Sequence, residues 1–363
     1  MKNSWKLIKL VRISLIIILL VVFHAIPLNS FSSYQISEGE DFIAKGLFYS
    51  SGNKKGIVNI DKFPSCPSSA PDIAIFDCYS MHRVDMLTGT LKRKVDFKNG
   101  CVFLPTLYAP SCDNYIVYNA GGGFSDIETL DRNGNNLWNY KPPKMQVYQM
   151  TAGDLDKDGE VEFYLATNKG LHRLNSKGEK CWERGRLMWN VGIVDFQNHT
   201  PSQIVIKPDE YKLLEIYNHA GTFVREVNLE VKISEFKICN WPNSGHLLAI
   251  NHDNIYTLDL NGKVIFHHKL GLGLDNHEIY WVNGMPAILK KNIGAYLAVI
   301  LQFRRKLNKS ALCIFSPEGK LVYQETLPGN ACLTVVPSAI HINDGEALLV
   351  GDGTGNVYRY EVL

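Results

Sequence analysis

The sequence predicts an all-β protein, a β-propeller of about seven four-stranded blades closed by an N-terminal strand. Three observations lead there. Hairpins with a glycine in the turn recur: HRVDMLTGTLKRKV (82–95), IETLDRNGNNLWNY (127–140), GLHRLNSKGEKCW (170–182), LLEIYNHAGTFVREV (213–227), IYTLDLNGKVIFHH (255–268) and LCIFSPEGKLVYQ (312–324). Each reads as two strands of alternating polarity around a polar turn. Their turn glycines, Gly89, Gly134, Gly178, Gly221, Gly262 and Gly319, stand 45, 44, 43, 41 and 57 residues apart, and a period near 40–50 residues built from short strands is that of a propeller blade. Finally, beyond the N-terminus no stretch carries a long apolar stripe of helical period, so helix content should be low.

The N-terminus stands apart from this pattern. Lys2, Lys6, Lys9 and Arg12 precede ISLIIILLVVF (13–23), a run without a charge. A basic segment followed by an apolar stretch of this length is the form of a secretory signal. Counted more generously, residues 7–28 approach the roughly 20 apolar residues of a membrane anchor. Residues 1–32 are therefore expected to be a signal peptide or an uncleaved membrane anchor, and residues 40–363 the propeller. In either case the basic flank places the remaining chain outside the cytoplasm, secreted, periplasmic or membrane-anchored.

Residues 46–60 (GLFYSSGNKKGIVNI) come before the first full unit and have no blade of their own. The last unit, INDGEALLVGDGTGNVYRYEVL (342–363), stops one outer strand short, which would leave an open edge. The early segment is expected to supply that strand and close the ring. Between these ends, strand-like runs such as FYLATNKG, SQIVIKPDEY, HLLAINHD and AYLAVILQF precede the hairpins and bring each unit to about four strands. The sixth unit is long, with RRKLNKS (304–310) as a loop.

One inter-strand stretch differs chemically from its counterparts. GDLDKDGEVEF (153–163) has acids at alternate positions; the aligned stretches VDFQNHTPSQI (194–204), CNWPNSGHLLA (239–249) and INDGEALLV (342–350) do not. Strands rather than helices flank it, which excludes a helix-loop-helix calcium site. Alternate side chains in a tight turn converge, and Ca²⁺ takes six to eight oxygens at about 2.3–2.6 Å. Asp154, Asp156, Asp158, the backbone carbonyl of Glu160 and the carboxylate of Glu162 are the expected ligands, with Gly159 letting the chain fold back.

The segment DLDKDGEVEFYLAT resembles the FG-GAP repeat of integrin-type and bacterial propellers. The turns LDRNGNNLW, LNSKGEKCW and LDLNGKVIF resemble the quinoprotein-type (PQQ-like) repeat, in which a Trp docks on the neighbouring blade. This pair of resemblances implies, through the FG-GAP-like segment, a calcium loop at the five residues just named. It also implies docking roles for Trp138 and Trp182, with Phe223 and Phe266 near the comparable place in their units. Quinone chemistry is not expected to follow, since no vicinal cysteine pair occurs and fold alone does not imply function.

Eight cysteines suit an oxidising compartment, and Cys66/Cys78, Cys101/Cys112 and Cys313/Cys332 are near enough in sequence to bridge neighbouring strands. Their spacings match no zinc site. A net charge of +2 on 363 residues gives no global field toward nucleic acid. His267, His268 and His277, the glycine-rich NAGGGFSDIE (119–128), and the acid pairs Asp209/Glu210 and Asp275/Glu278 carry no recognisable catalytic motif. The expected function is a calcium-binding propeller acting as a binding or scaffolding module for a protein or glycan ligand. The alternative is an extracellular carbohydrate-active enzyme, a glycosidase or lyase, whose acids converge at the central channel.

Overall fold

A computed structural model describes residues 31–36, 42–52, 56–63, 72–97, 105–108, 116–119, 127–131, 133–141, 144–194, 202–241, 245–270, 279–290, 294–303, 308–338 and 345–362. All the regular structure among them is β-strand. No helix among them is long and apolar enough to cross a membrane. The basic and apolar N-terminal segment through residue 30 lies outside the described residues. The first strand, Phe31–Ile36, begins two residues inside the segment expected to direct export.

The strands form seven antiparallel sheets, six of them made of four consecutive strands. Blade 1 holds Ile57–Lys62, Asp72–Asp77, Ser80–Asp85 and Leu91–Asp96, and blade 2 runs from Pro105–Tyr108 to Asn136–Tyr140. Blade 3 holds Val147–Gly153, Glu162–Thr167, Gly170–Leu174 and Lys180–Arg184. Blade 4 spans Met188–Val194 to Phe223–Asn228, blade 5 Glu235–Trp241 to Val264–Lys269, and blade 6 Ile279–Lys290 to Leu321–Pro328. In most blades the first strand packs against the first strand of the next, so these strands line the centre. Fourth strands face outward; in blades 1, 3 and 4 they are largely exposed.

Blade 7 has only three strands from its own unit: Cys332–Pro337, Glu346–Gly351 and Asn356–Val362. Its fourth is Phe42–Ser50, paired antiparallel from Ile43↔Val362 to Ser50↔Asn356, and Phe31–Ile36 adds a fifth outside it. The expected closure by an N-terminal strand is thus present, but residues 46–60 divide. Those through Ser50 close the ring, whereas Ile57–Lys62 is the inner strand of blade 1. Gly52 and Gly56, both at positive φ, separate the two roles. Ile57 and Ile60 are buried between blades 7 and 1, which fixes the second half as core rather than edge.

Second strands are apolar throughout because both of their faces are covered. In blade 3, Phe163 and Leu165 pack toward blade 2 while Tyr164 and Ala166 pack toward blade 4. Leu247 and Ala249 of blade 5 likewise face blade 4, and Leu248 and Ile250 face blade 6. The described core is therefore a ring of seven clusters, each shared by two adjacent blades.

The turn glycines serve a second purpose at these interfaces. Gly178 sits at φ 79°, a left-handed conformation that lets the hairpin turn back with a one-residue bulge. The side-chain oxygen of Asn175 accepts from the N–H groups of Lys177 and Glu179 and fixes the turn. The bare Cα of Gly178 then receives the indole of Trp138 from blade 2, whose Nε1 donates to Ser176 O at 3.0 Å. Trp182 covers Gly221 in the same way and Phe266 covers Gly319. Phe223 does not take this role: it is half exposed, and Val227 with the Asn228 carbonyl faces Gly262 instead. The sequence suggests six such turns, and the structure adds a seventh at Asp352–Gly355, where Asp352 accepts from the N–H groups of Thr354 and Asn356.

Cys313 and Cys332, expected to be able to bridge, belong to separate clusters and remain thiols. Cys66, Cys101 and Cys112 lie outside the described residues. Burial pushes the Cys239 and Cys313 thiols up to about 12 and that of Cys332 higher still, while Cys181 is exposed. Thiolate is the reactive form. Iodoacetamide at pH 8 should therefore label Cys181 in native protein and spare Cys239, Cys313 and Cys332 until denaturant is added; peptide mapping that finds any of the three labelled at the Cys181 rate would contradict this burial.

The docking account makes a sharper forecast. A Cβ on Gly178 would lie 2.4 Å from Trp138 Cε3, whereas one on Gly159, also at positive φ, meets nothing within 4 Å. Gly178→Ala should cost about 2–5 kcal/mol from backbone strain plus overpacking, and Gly159→Ala only about 1–2 kcal/mol from strain. Equal shifts in denaturant midpoint would mean that the indole does not rest on the turn.

Candidate functional site

The acidic stretch 154–161 links the first two strands of blade 3, at the end of the ring where the glycine turns also lie. Lys157 (φ 61°) and Gly159 (φ 90°) fold it back on itself. Asp154 accepts from the N–H groups of Asp158 (3.1 Å) and Gly159 (3.0 Å), and Asp158 Oδ1 from the N–H of Glu160 (2.8 Å). Glu162, at the start of the second strand, is 2% exposed. Its Oε2 accepts from Leu155 N–H at 3.1 Å and Tyr164 O–H at 3.3 Å.

These turns bring ligating oxygens of Asp154, Asp156, Asp158 and Glu162 within 4.8 Å of one another, the sole grouping of three or more His, Cys, Asp or Glu side chains of this kind among the described residues. Four of the five residues expected from the sequence therefore converge through their carboxylates. Glu160, expected to contribute a carbonyl, is exposed in its side chain and is tied to Asp158 through its N–H.

The sequence did not suggest the cation that stands beside them. Arg173, on the adjacent strand opposite Tyr164, places Nη2 2.7 Å from Asp156 Oδ2 and 3.0 Å from Glu162 Oε1. Burial raises the Asp156 carboxyl, but the Arg173 guanidinium outweighs it and holds the group below its ordinary value. At Glu162 burial prevails over Leu155 N–H and Arg173, and the carboxyl lies above its ordinary value. One guanidinium faces four carboxylates, so the loop keeps a negative excess. Asp156 Oδ1 is buried and accepts no hydrogen bond. Of the three aligned stretches, residues 195–201, 242–244 and 342–344 lie outside the described residues.

The opposite end of the ring carries a second grouping. First strands begin there, and second strands turn into third strands. Tyr148 of blade 3 and Trp189 of blade 4 place their rings 4.4 Å apart, and Trp189 Nε1 donates to Asp209 Oδ1 at 2.8 Å. Glu210 accepts from Arg186 at 2.8 Å. The two acids raised as a catalytic pair by the sequence are thus each engaged with a different neighbour. Lys207, 1% exposed, ends the apolar strand Gln203–Pro208, and its Nζ lies 5.2 Å from the centre of the Tyr211 ring. Farther round, Glu235 and Lys237 of blade 5 stand 4.0 Å apart, with Lys237 Nζ 5.3 Å from the Trp281 ring of blade 6. Burial raises the Glu235 carboxyl to about 8 against the opposing pull of Lys237 and of Val282 N–H. The available sequence signal was Lys207 itself, a charge closing the otherwise apolar run QIVIK. His267 and His268 face opposite sides as a strand requires: His267 stacks on Tyr256, and His268 packs on Phe315.

No protein-family model matches the chain, and no curated protein matches it in sequence. Solved structures do. BBS1N in complex with ARL6DN, in a mercury-soaked crystal, superposes with a TM-score of 0.56 at 11% identity, over 87% of this chain and 94% of that one. The lead-soaked form gives 0.56 and 11% over 92% and 96%. BamB from Moraxella catarrhalis gives 0.49 and 16% over 92% and 99%. Similarity at this level to BBS1N concerns the fold, and it agrees with the seven sheets: the chain is a β-propeller.

Proposed function

We propose that the chain is an extracytoplasmic β-propeller that works as a binding or scaffolding module, with one Ca²⁺ holding the loop of its third blade. The observation that carries the calcium assignment is the convergence of four carboxylates around a buried acceptor, Asp156 Oδ1, that has no donor. Oxygens on opposite sides of a Ca²⁺ ion at about 2.3–2.6 Å are at most about 4.6–5.2 Å apart. The 4.8 Å span of the group fits that limit. Asp154, Asp156, Asp158, Glu162 and the carbonyl of Glu160 would hold the ion. Bound there, it would supply charge neutralisation and rigidity to the turn, a structural role.

The binding role follows from the ring's exposed surface. Trp189 and Tyr211, 38% and 58% exposed, lie on one rim beside buried charge, and large exposed aromatics at such places are typical of contact residues. The enzyme alternative requires acids that converge at the channel. Among the described rim residues Asp209 and Glu210 are each taken by a neighbour, and Glu235 stands beside Lys237. The basic, apolar N-terminus supports export, with attachment to a membrane if residues 7–28 are retained.

Melting curves with Ca²⁺, Mg²⁺ or a chelator test the metal assignment. Free Ca²⁺ at 100 times its dissociation constant should stabilise the protein by about 2.7 kcal/mol. Mg²⁺ should substitute poorly because it demands octahedral geometry at about 2.0–2.1 Å. Asp156→Ala with Asp158→Ala should abolish the calcium response and keep the β-sheet circular dichroism. Identical curves for wild type in calcium and in chelator would reduce the loop to a turn neutralised by Arg173.

A further inference from the structure

The calcium loop makes no use of the opposite rim, where a buried cation forms no ion pair among the described residues. Lys207 is 1% exposed, and among the described residues its Nζ has one hydrogen-bond acceptor, the carbonyl of the next residue, Pro208, at 3.2 Å. Asp209, Glu210 and Glu235 are near enough to attract the ammonium, but none forms an ion pair with it. Burial nevertheless dominates and holds the group below the usual lysine range. A buried ammonium is costly unless it is paired. Its three N–H donors exceed what Pro208 can accept.

The surroundings indicate what would complete it. The centre of the Tyr211 ring lies 5.2 Å from Nζ, and Tyr211 is 58% exposed. Lys207 shares the blade 5 face of its strand with Val205, and on the blade 3 side of the same rim stands the Tyr148–Trp189 pair, with Trp189 38% exposed. Polar groups on this rim are largely consumed internally: Asp209 by Trp189, Glu210 by Arg186, and Asn168 by the N–H of Gln146 and the carbonyl of Lys144. Among the described residues, what remains for a ligand is aromatic surface and a buried ammonium that forms no ion pair. A polyhydroxylated sugar would find few free partners. A peptide segment with an acid flanked by apolar side chains would find both features it needs, and Trp, Tyr and Arg are the residues that dominate protein interfaces.

Building on the binding-module reading, we propose that the rim of blades 3 and 4 docks a segment of a partner protein. The segment presents an Asp or Glu carboxylate to Lys207 Nζ and lays an apolar neighbour over Trp189 and Tyr148. Tyr211 moves away from Nζ to the side of the bound segment. Lys207 is then a recognition residue held at the expense of stability, and it differs from Arg173, whose charge is answered within the chain.

The test is selection of random dodecapeptides displayed on phage against the purified full chain, followed by titration of synthetic peptides. Selected sequences should share an acid next to an apolar residue. Lys207→Met and Trp189→Ala should each weaken them, Lys207→Met by about thirtyfold or more, as when one partner of a buried charge pair is removed. Changing the peptide acid to its amide should cost the same in wild type and nothing further in Lys207→Met. Melting supplies a readout independent of any ligand: Lys207→Met should melt at or above wild type, because it replaces a buried ammonium by an apolar chain of similar length. A lower melting temperature would make Lys207 a structural residue and overturn the proposal. Peptides that bind equally well to both variants would overturn the rim assignment but leave the binding-module reading standing. Failure to select any peptide would count against both. Oligogalacturonate binding that is lost in the same two variants, without peptide binding, would replace the peptide by an acidic sugar and overturn the proposal.

Discussion

The pairing of Phe42–Ser50 with Asn356–Val362 is the contact on which the other six blades depend. Every described core cluster is shared between two adjacent blades, so no blade owns a complete interior. An open row would leave two half-cores facing water at its ends, as in any repeat protein without caps. Closing the ring converts them into a seventh interface, in which Ile57 and Ile75 of blade 1 meet Ala347, Leu349 and Val357 of blade 7. Side chains reinforce the seam on both flanks. Arg359, 5% exposed, pairs with Glu361 and donates to the carbonyls of Met86 and Pro337. Lys45 reaches Glu325 of blade 6, which also accepts from Tyr323 and Tyr360.

Much of this architecture was legible because one local device repeats. An Asn, Asp or Ser three residues before a glycine, or four in blade 1, makes a turn through local hydrogen bonds, and its period counts the blades. Docking of Trp138 and Trp182 was visible for a related reason, the aromatic at a fixed offset from each glycine; Phe266, where the sequence pattern looks degraded, docks as well. Phe223 stands two residues after Gly221 rather than four, and at the fourth place Arg225 donates to the Leu260 carbonyl of the next turn. The boundary between closure and blade 1 within 46–60 was not legible. Both halves are strand-like, and only burial separates Tyr49 from Ile57.

Within the candidate calcium loop, the sequence shows the acids because their alternation is local. It hides Arg173, whose position depends on the pairing of a strand fourteen residues downstream. The rim of Lys207 and Trp189 was largely hidden for the same reason: strand pairing within blade 4 and packing against Tyr148 of blade 3 bring its residues together. Antiparallel blades send first-to-second loops to one end of the ring and second-to-third loops to the other. The metal proposed for blade 3 and the proposed docking surface thus lie at opposite ends of the ring.

Native-state hydrogen exchange tests the central dependence on closure most directly. If the seam holds the ring, the amides of Asn356–Val362 and of Ile43–Ser50 that pair across it should be as protected as those of Gln203–Pro208 in blade 4. All of them should then exchange through one global opening with the same dependence on denaturant. Seam amides that open at lower denaturant while blade 4 stays fully protected would show that the remaining six blades stand without closure, and would contradict the account.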